Sequence, residues 1–555
     1  MSCLLGIDLG TSGLKAILAN DSGRILANAY RAYSFDSPSP GYAEQDPEVW
    51  WRACREALSS VLTESAVDPA EIRGLSFSGQ MHGLVALDEH GNVVRPAILH
   101  CDARSSAEID EIRAAFSESE RSEFFMNPIF TGFLMVSLLW VRKNEPENYA
   151  RIRKVCLPKD YLRYKLTGIV SSDYSDASAT LAFDIPNRSW SSAILDRLSL
   201  PRELFPDCDE TIAPVAPVSR TAAMETGLSE TTVVVAGGGD QVMQSIGNGL
   251  ISDGDGSVNI GSSGQVSFQL GKPFLNPALN SNMFCAYDRD RWIMFGATMS
   301  AGLSLKWWNR IIQQSSYEEL NHEIGMIQPG SGGLLFFPYL NGERTPHVNP
   351  NISGTLMGFN HTTSRFAIAR AVMEGVAFSL KDCLDICMGA GFLPNRLVAS
   401  GGGARSPQWL QIQADILGLP LVVSRSEEQA GMGAVIAAGT GSGVFHDIRE
   451  AIGVFVRYQD QTIEPGSDAR RIYTELHEIY KDAYRRMAPA LENVNRLWPA
   501  AGGARLCQLK ISRKNPDWYL PADFTAPQRQ NDYGAITVPS GIVVFFGTIT
   551  IPSRI

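Results

Sequence analysis

The sequence predicts an α/β protein of two similarly built domains that face each other across a central cleft. Three observations predict it. The chain has 555 residues, more than one hydrophobic core usually serves. A glycine-and-hydroxyl hairpin occurs twice, about half a chain apart. Each half also carries a strand that ends in three glycines and leads into a helix.

The first hairpin lies in "GIDLGTSGLKAILANDSG", residues 6–23. Ile7 and Leu9 alternate with polar neighbours, Gly10-Thr11-Ser12-Gly13 reverse the chain, and Lys15 to Leu18 resume an extended pattern. Such a turn aims backbone N–H groups and two hydroxyls at one anion. Asp8 beside that anion makes sense if a cation lies between them, which points to phosphate with a divalent metal. A plain hairpin turn is the alternative. A dinucleotide fingerprint is excluded because a strand, not a helix, follows Gly13. A P-loop is excluded because Gly271-Lys272 runs into Pro273.

The second copy, "VNIGSSGQVSF" from Val258, lines up with "IDLGTSGLKAI" without a gap. Gly261-Ser262-Ser263-Gly264 match Gly10 to Gly13, whereas Asn259 stands opposite Asp8. Metal handling is therefore assigned to Asp8, with each half offering one phosphate turn to the cleft.

Between the hairpins, "TTVVVAGGGDQVMQSIGNG" places a buried strand at Val233 to Val235, three glycines, and a helix from Asp240. As an N-cap, Asp240 would be structural. The glycines instead leave room for a substrate beside one carboxylate, as a general base for a sugar hydroxyl requires. In "RLVASGGGARSPQWLQIQADILGLPLVV" a strand at Leu397 to Ala399 leads through Gly401 to Gly403 into a helix. That helix is capped by Ser406, opens with Pro407, runs to about Leu417 and stops at Gly418. Its loop offers flat backbone and a helix N-terminus to a nucleotide. In "GLSFSGQMHGLVAL" two strands flank Gln80, Met81 and His82, a mixture of hydrogen-bonding and apolar groups suited to a polyol; a solvated turn is the bland alternative.

Composition narrows the partners. The apolar fraction is 44% and the charged fraction 19%, that of a soluble globular protein, and the net charge is −11 with no basic run. Nucleic acid and anionic membrane are poor partners for such a surface. No stretch approaches a membrane span, and the opening "MSCLLGIDLG" has no basic segment followed by a long apolar core. Nine cysteines without a CxxC pair read as reduced thiols, with Cys383 and Cys387 one helical turn apart in a core. A cytoplasmic protein is expected.

Taken in order, "IDLGTSG", "SGQMHG", "LPKDYL", "GGGD", "GERTPH" and "GGGARS" closely resemble the FGGY family of carbohydrate kinases. The resemblance covers residues 4 to about 490, and "SGQMHG" and "GERTPH" point to its xylulokinase branch. It implies two actin/hexokinase-like (ribonuclease H-like) domains closing over a central ATP/sugar cleft. It implies ATP and Mg²⁺ as cofactors and phosphorylation of D-xylulose to D-xylulose 5-phosphate. It also implies that Asp240 is the catalytic base, that Asp8 sits at the metal and phosphates, and that Thr11, Ser12 and Lys15 belong to the first phosphate turn. Gly261, Ser262 and Ser263 then form the second turn, Gly402, Gly403 and Ala404 the adenine side, and Gln80, Met81, His82 and Gln241 the sugar side with Asp240. Trp307 falls where the family has a tryptophan near the nucleotide, and reads equally as a core aromatic. The expected division is residues 1–247 for the N-terminal domain, 248–497 for the C-terminal domain and 498–555 for an extension. A homodimer is left open.

The departures bear on the sugar. His100-Cys101-Asp102-Ala103-Arg104 stands where xylulokinases typically have Trp-Asn-Asp-Gly-Arg, Gln241 replaces an asparagine, and Ser137 a lysine. The same chemistry on another ketose or polyol is therefore a second reading, and a silent sugar sensor a third that the retained Asp8 and Asp240 disfavour. Residues 498–555 carry six Lys/Arg against three Asp/Glu and include the β-prone "GIVVFFGTITI". An added edge strand, pairing with another subunit and a disordered tail all remain open for it.

Overall fold

The computed structural model describes residues 2–497 apart from 314–315, 390 and 392–393; the expected extension lies outside the described residues. Both hairpins are present. Cys3–Leu9 pairs antiparallel with Gly13–Asn20, and Gly256–Ile260 with Gly264–Leu270. Leu4, Leu5, Ile7 and Leu9 are fully buried, because this strand is central in its sheet and covered on both faces.

The duplication extends well beyond the hairpins. The first sheet runs Pro214–Pro217, Val233–Val235, Ile72–Gly79, Cys3–Leu9, Gly13–Asn20, Ile25–Ala32. The second runs Tyr458–Ile463, Leu421–Ser424, Leu397–Ser400, Gly256–Ile260, Gly264–Leu270, Trp292–Thr298, with Asn282–Cys285 added at its edge. In both, the hairpin's first strand has a parallel partner, then a second parallel strand, then an antiparallel edge. Asp8 thus faces Ser78 across the parallel pair, as Asn259 faces Ser400. The segments after those two partners, "GQMHG" and "GGGARS", occupy equivalent places in the two halves.

The helix starts and stops follow local chemistry. Ser406 accepts from the Trp409 N–H at 3.1 Å, Pro407 opens the helix, and Gly418 in the left-handed region ends Pro407–Leu417, as the sequence predicts. Cys383 and Cys387 are buried, reduced core thiols. Among the described residues no helix is long and apolar enough to cross a membrane.

The strands of the two sheets come from separate halves of the chain, but one helix crosses between them. Gln429–Gly441, from the second half, lies on the first sheet and against Asp240–Gly247, joining Leu4, Ile17, Val242, Met243 and Ile246 to Met432, Val435 and Ile436 in one apolar cluster. Glycine makes this contact close. A Cβ on Gly433 would lie 1.9 Å from the Met243 carbonyl oxygen, one on Gly247 1.8 Å from that of Gln429, and one on Gly6 2.5 Å from that of Gly431.

Backbone cannot yield to a methyl group as a side-chain end can. Gly433→Ala should therefore lower unfolding stability by about 1–3 kcal/mol or more. Gly453→Ala, in the helix Ile448–Phe455 with nothing within 4 Å of the added methyl, should be neutral or stabilising by up to about 1 kcal/mol. Urea titrations of both variants check this; equal effects would contradict the close crossing.

Candidate active site

Asp240 is the first residue of its helix, and Gly239 occupies the cap position without a side chain to fill it. The expected alternative of Asp240 as N-cap is thereby corrected. Burial, then the negative charge of Asp8, push the Asp240 carboxyl up to about 7, against opposing bonds from Gln241. Burial likewise raises Asp8, opposed by the Ser78 hydroxyl and Lys15 and reinforced by Glu428. The two carboxylates therefore share one cleft.

The three glycines serve packing more than substrate access. Gly238 and Gly239 pair in parallel with Ser78 and Gly79. A Cβ on Gly239 would lie 2.6 Å from Met81 Cε, and Gly237 sits at φ +73° with its missing Cβ 2.4 Å from the Phe77 carbonyl oxygen. The loop is thus pressed onto the strand that ends in "GQMHG", which carries Asp240 to Met81 and His82.

His82 has φ +72°, a left-handed conformation rare for a residue with a Cβ. The ring is held by an Nδ1 bond to the Ala179 carbonyl at 2.7 Å and by Phe133, with centroids 4.1 Å apart. A carbonyl oxygen only accepts, so Nδ1 carries the proton and Nε2 is left as an acceptor. Burial lowers the imidazole to about 3 despite the Ala179 bond, with His100 and Arg344 adding to the drop, so the ring stays neutral. Gln241 Oε1 and His100 Nδ1 are buried without a partner. Gln241 Oε1 needs a donor and His100 Nδ1 a donor or an acceptor according to its tautomer, and the hydroxyls of a polyhydroxylated ligand can serve as either.

Not every expected residue is used as expected. Gln80 is buried and turned inward, its Oε1 accepting from the Thr11 hydroxyl at 3.1 Å and its Nε2 donating to Gln45 Oε1 at 3.4 Å. It braces the Gly10–Gly13 turn through Thr11. Lys15 forms an ion pair with Glu428, a bridge between the halves. Trp307 stacks on Phe336 at 6.1 Å beside Trp308, which supports the core-aromatic alternative.

Both turns are closed by their first glycine, whose N–H reaches Gly13 O in one and Ser263 O in the other, each at 2.9 Å. Ser12, Ser262 and Ser263 are exposed. The second turn also accepts from Ala301 N and Gly302 N, each at 2.9 Å, which seats it on the start of Gly302–Ile311. Gly402–Arg405 forms a short helical turn lying flat on that hairpin, with a Cβ on Gly403 2.6 Å from Ile260 Cβ. A cleft of about 790 Å³ opens beside it, lined by Gly401, Gly402, Ala404, Arg405, Gln411 and Gln429. A depression of about 840 Å³ around Trp51, Tyr161 and Lys165 lies away from both carboxylates.

Sequence reading gave no role to Arg344 of "GERTPH". Its loop is pinned: Glu343 Oε1 accepts from Met299 N at 2.7 Å, and Thr345 N donates to Ala297 O at 3.1 Å. His347 stacks on Tyr484 at 3.5 Å and bonds the Tyr339 hydroxyl at 3.0 Å, which ties it to the last helix, Ser467–Leu497. Arg344 remains exposed, and its charge contributes to lowering both His82 and His100 from the other half. The signal was the surplus cation in a motif whose neighbours are all spent on structure.

The donor set fits Mg²⁺. Asp8 supplies hard carboxylate oxygens, and among the described residues no lysine or arginine forms an ion pair with it, Lys15 being engaged by Glu428.

The chain matches the N-terminal domain of the FGGY family of carbohydrate kinases over residues 3–247 and its C-terminal domain over 256–442. It is 35% identical over 484 residues to a xylulose kinase of Staphylococcus epidermidis, covering 87% of this chain and 96% of that one. Identity to a Bacillus subtilis xylulose kinase is 35% over 485 residues, covering 87% and 97% of the two chains. A crystal structure from Brucella ovis described as a xyloylose kinase is 34% identical, with a TM-score of 0.82 over 89% of this chain and 100% of that one. The duplicated sheets, the two glycine-and-hydroxyl hairpins and these matches lead to one conclusion: the chain belongs to the FGGY family of carbohydrate kinases.

Proposed function

We propose that this kinase transfers the γ-phosphoryl group of ATP to the terminal hydroxyl of D-xylulose, giving D-xylulose 5-phosphate and ADP. The observation that carries the reading is Asp240: a carboxylate raised to about 7, beside the neutral acceptor His82 and the unpartnered Gln241 Oε1. Relatives named xylulose kinases at 35% identity support the choice of sugar.

The chemistry follows from the groups present. The sugar's hydroxyls donate to His82 Nε2 and Gln241 Oε1, with Met81 as apolar wall. Asp240 accepts the proton of the terminal hydroxyl as its oxygen attacks the γ-phosphorus, and the bond to the ADP oxygen breaks. Base catalysis of this kind typically contributes about 10²–10⁴-fold. Asp8 would hold Mg²⁺, which neutralises charge on the transferring phosphoryl group. Ser12 lies in one phosphate turn and Ser262 and Ser263 in the other, and Gly402, Gly403 and Ala404 give the nucleotide a flat backbone surface. Closing the halves would exclude the water that competes as acceptor.

One observation favours a second reading, the same reaction on another ketose or polyol. His100 Nδ1 and Gln241 Oε1 are both buried and unpartnered, and both lie where this chain departs from xylulokinases. A coupled ADP-release assay over pentuloses, hexuloses and pentitols separates the readings.

Asp240→Asn should cut turnover by about 10²–10⁴-fold or more with nucleotide binding retained. In the wild type, activity should fall as pH drops below about 7 and the base gains its proton. The sign for stability is opposite. A carboxyl raised from 3.8 to about 7 binds its proton more tightly when folded, so its stabilisation is fully present below 3.8 and is lost as pH rises through 7. The stability of Asp240→Asn relative to wild type should therefore increase between those pH values and then level off, as thermal melts would record. A flat difference would contradict the raised carboxyl.

Asp8→Ala should weaken Mg²⁺-nucleotide binding far more than sugar binding, measured by calorimetry. Equal losses of both would argue against its placement at the metal.

A further inference from the structure

Behind the Asp240 loop lies a cluster of charge with no access to solvent. Lys159, Asp160 and Arg163 come from the helix Pro158–Thr167, and Asp173 and Asp176 from the junction that starts the short helix Tyr174–Ala177; none is more than 1% exposed. Lys159 Nζ lies 2.5 Å from Asp160 Oδ1, 2.5 Å from Asp173 Oδ2 and 3.1 Å from Asp176 Oδ2. Arg163 Nη2 is 2.9 Å from Asp160 Oδ1. The three carboxylates are close enough to one another to hold a metal ion, but the Lys159 ammonium already sits among them. Burial carries Asp176 well above the usual range, whereas Lys159 and Arg163 outweigh burial at Asp160 and keep it low.

Buried ion pairs are weak devices for stability, because desolvation offsets attraction. This one holds something else. Arg163 Nη1 donates to the Ala236 carbonyl at 2.5 Å, at the start of the glycine loop. At its end, the Gly239 N–H donates to Ser175 Oγ at 3.0 Å, and that hydroxyl in turn donates to Asp173 Oδ1. Asp173 Oδ1 also accepts from the Ser175 N–H at 2.9 Å, which fixes Ser175 itself. Three consecutive glycines have no side chains with which to hold their own conformation. Both ends of the span from Ala236 to Gly239 are tied to one ionic cluster, and Asp240 is the next residue.

We propose that Lys159, Arg163, Asp173 and Ser175 are positioning residues that lock the Gly237–Gly239 loop and so aim the Asp240 carboxylate at the sugar hydroxyl. This rests on Asp240 as the base. A displacement on the order of 1 Å at a reacting group can cost roughly 10²-fold in rate.

The test is Ser175→Ala, with Ser175→Cys as a graded variant and Asp240→Asn alongside, each assayed with the sugar that the wild type turns over. The amount of folded protein is fixed by circular dichroism and thermal melting. Ser175→Ala should lose about 10–100-fold in kcat, leave KM for sugar within about twofold, and shift the acid limb of the kcat–pH profile. Ser175→Cys, a weaker acceptor, should fall between, and it decides the matter if Ser175→Ala does not fold. An unchanged kcat per folded enzyme, or a loss that merely tracks the unfolded fraction, overturns the proposal. If Asp240→Asn keeps full turnover, the reading of the base has failed instead. An inactive Asp240→Asn beside a fully active Ser175→Ala refutes the positioning alone.

Discussion

Two carboxylates, Asp8 and Asp240, are held in one cleft with no lysine or arginine among the described residues paired to either, and each is raised by burial. A protein that spends stability on such an arrangement must over-determine the backbone around it. Asp8 is fixed in a central strand paired on both sides, to Lys15 and to Ser78. Asp240 is fixed by a glycine loop pressed onto that same Ser78–Gly79 strand. The first sheet thus sets both charges against one strand, Ile72–Gly79, which pairs with Cys3–Leu9 and with Gly238–Gly239 just before Asp240.

The second half contributes to this geometry from outside its own sheet. Gln429–Gly441 wedges between the first sheet and the Asp240 helix at glycine-to-backbone distances, and Glu428 at its start engages Lys15. A domain boundary drawn along the chain misses this. The helix that buttresses Asp240–Gly247 comes from the second half of the chain, so the backbone around Asp240 is built from both halves.

Much of this was legible in the sequence, and what was not has a physical reason. The hairpins, the Ser406-Pro407 start and Gly418 stop, and the Val233–Val235 strand follow from local chemistry that acts within a few residues. Asp8 and Asp240 stood out because a carboxylate beside glycines has few bland uses. The bonds of Gln80 to Thr11 and Gln45 were not legible, because an amide next to Met81 and His82 looks the same in sequence whichever way it turns. Arg344 was overlooked because its neighbours across the cleft, His82 and His100, lie far away in the chain. The packing use of Gly237 to Gly239 needed knowledge of which strand they touch. Tertiary pairing, not propensity, decided each of these.

The asymmetry of the two copies follows from the same constraint. At the position equivalent to Asp8 the second half has Asn259, whose Nδ2 donates to Ser400 Oγ at 3.1 Å, a bond an ionised carboxylate could not make in that sense. Another carboxylate there would add a third negative charge to the two already held at Asp8 and Asp240. In the proposed reaction, charge on the first copy and neutrality on the second would let one hairpin hold a cation and the other meet phosphate with N–H and hydroxyl donors. A duplicated scaffold serves a group-transfer reaction because its copies keep the geometry and divide the charge.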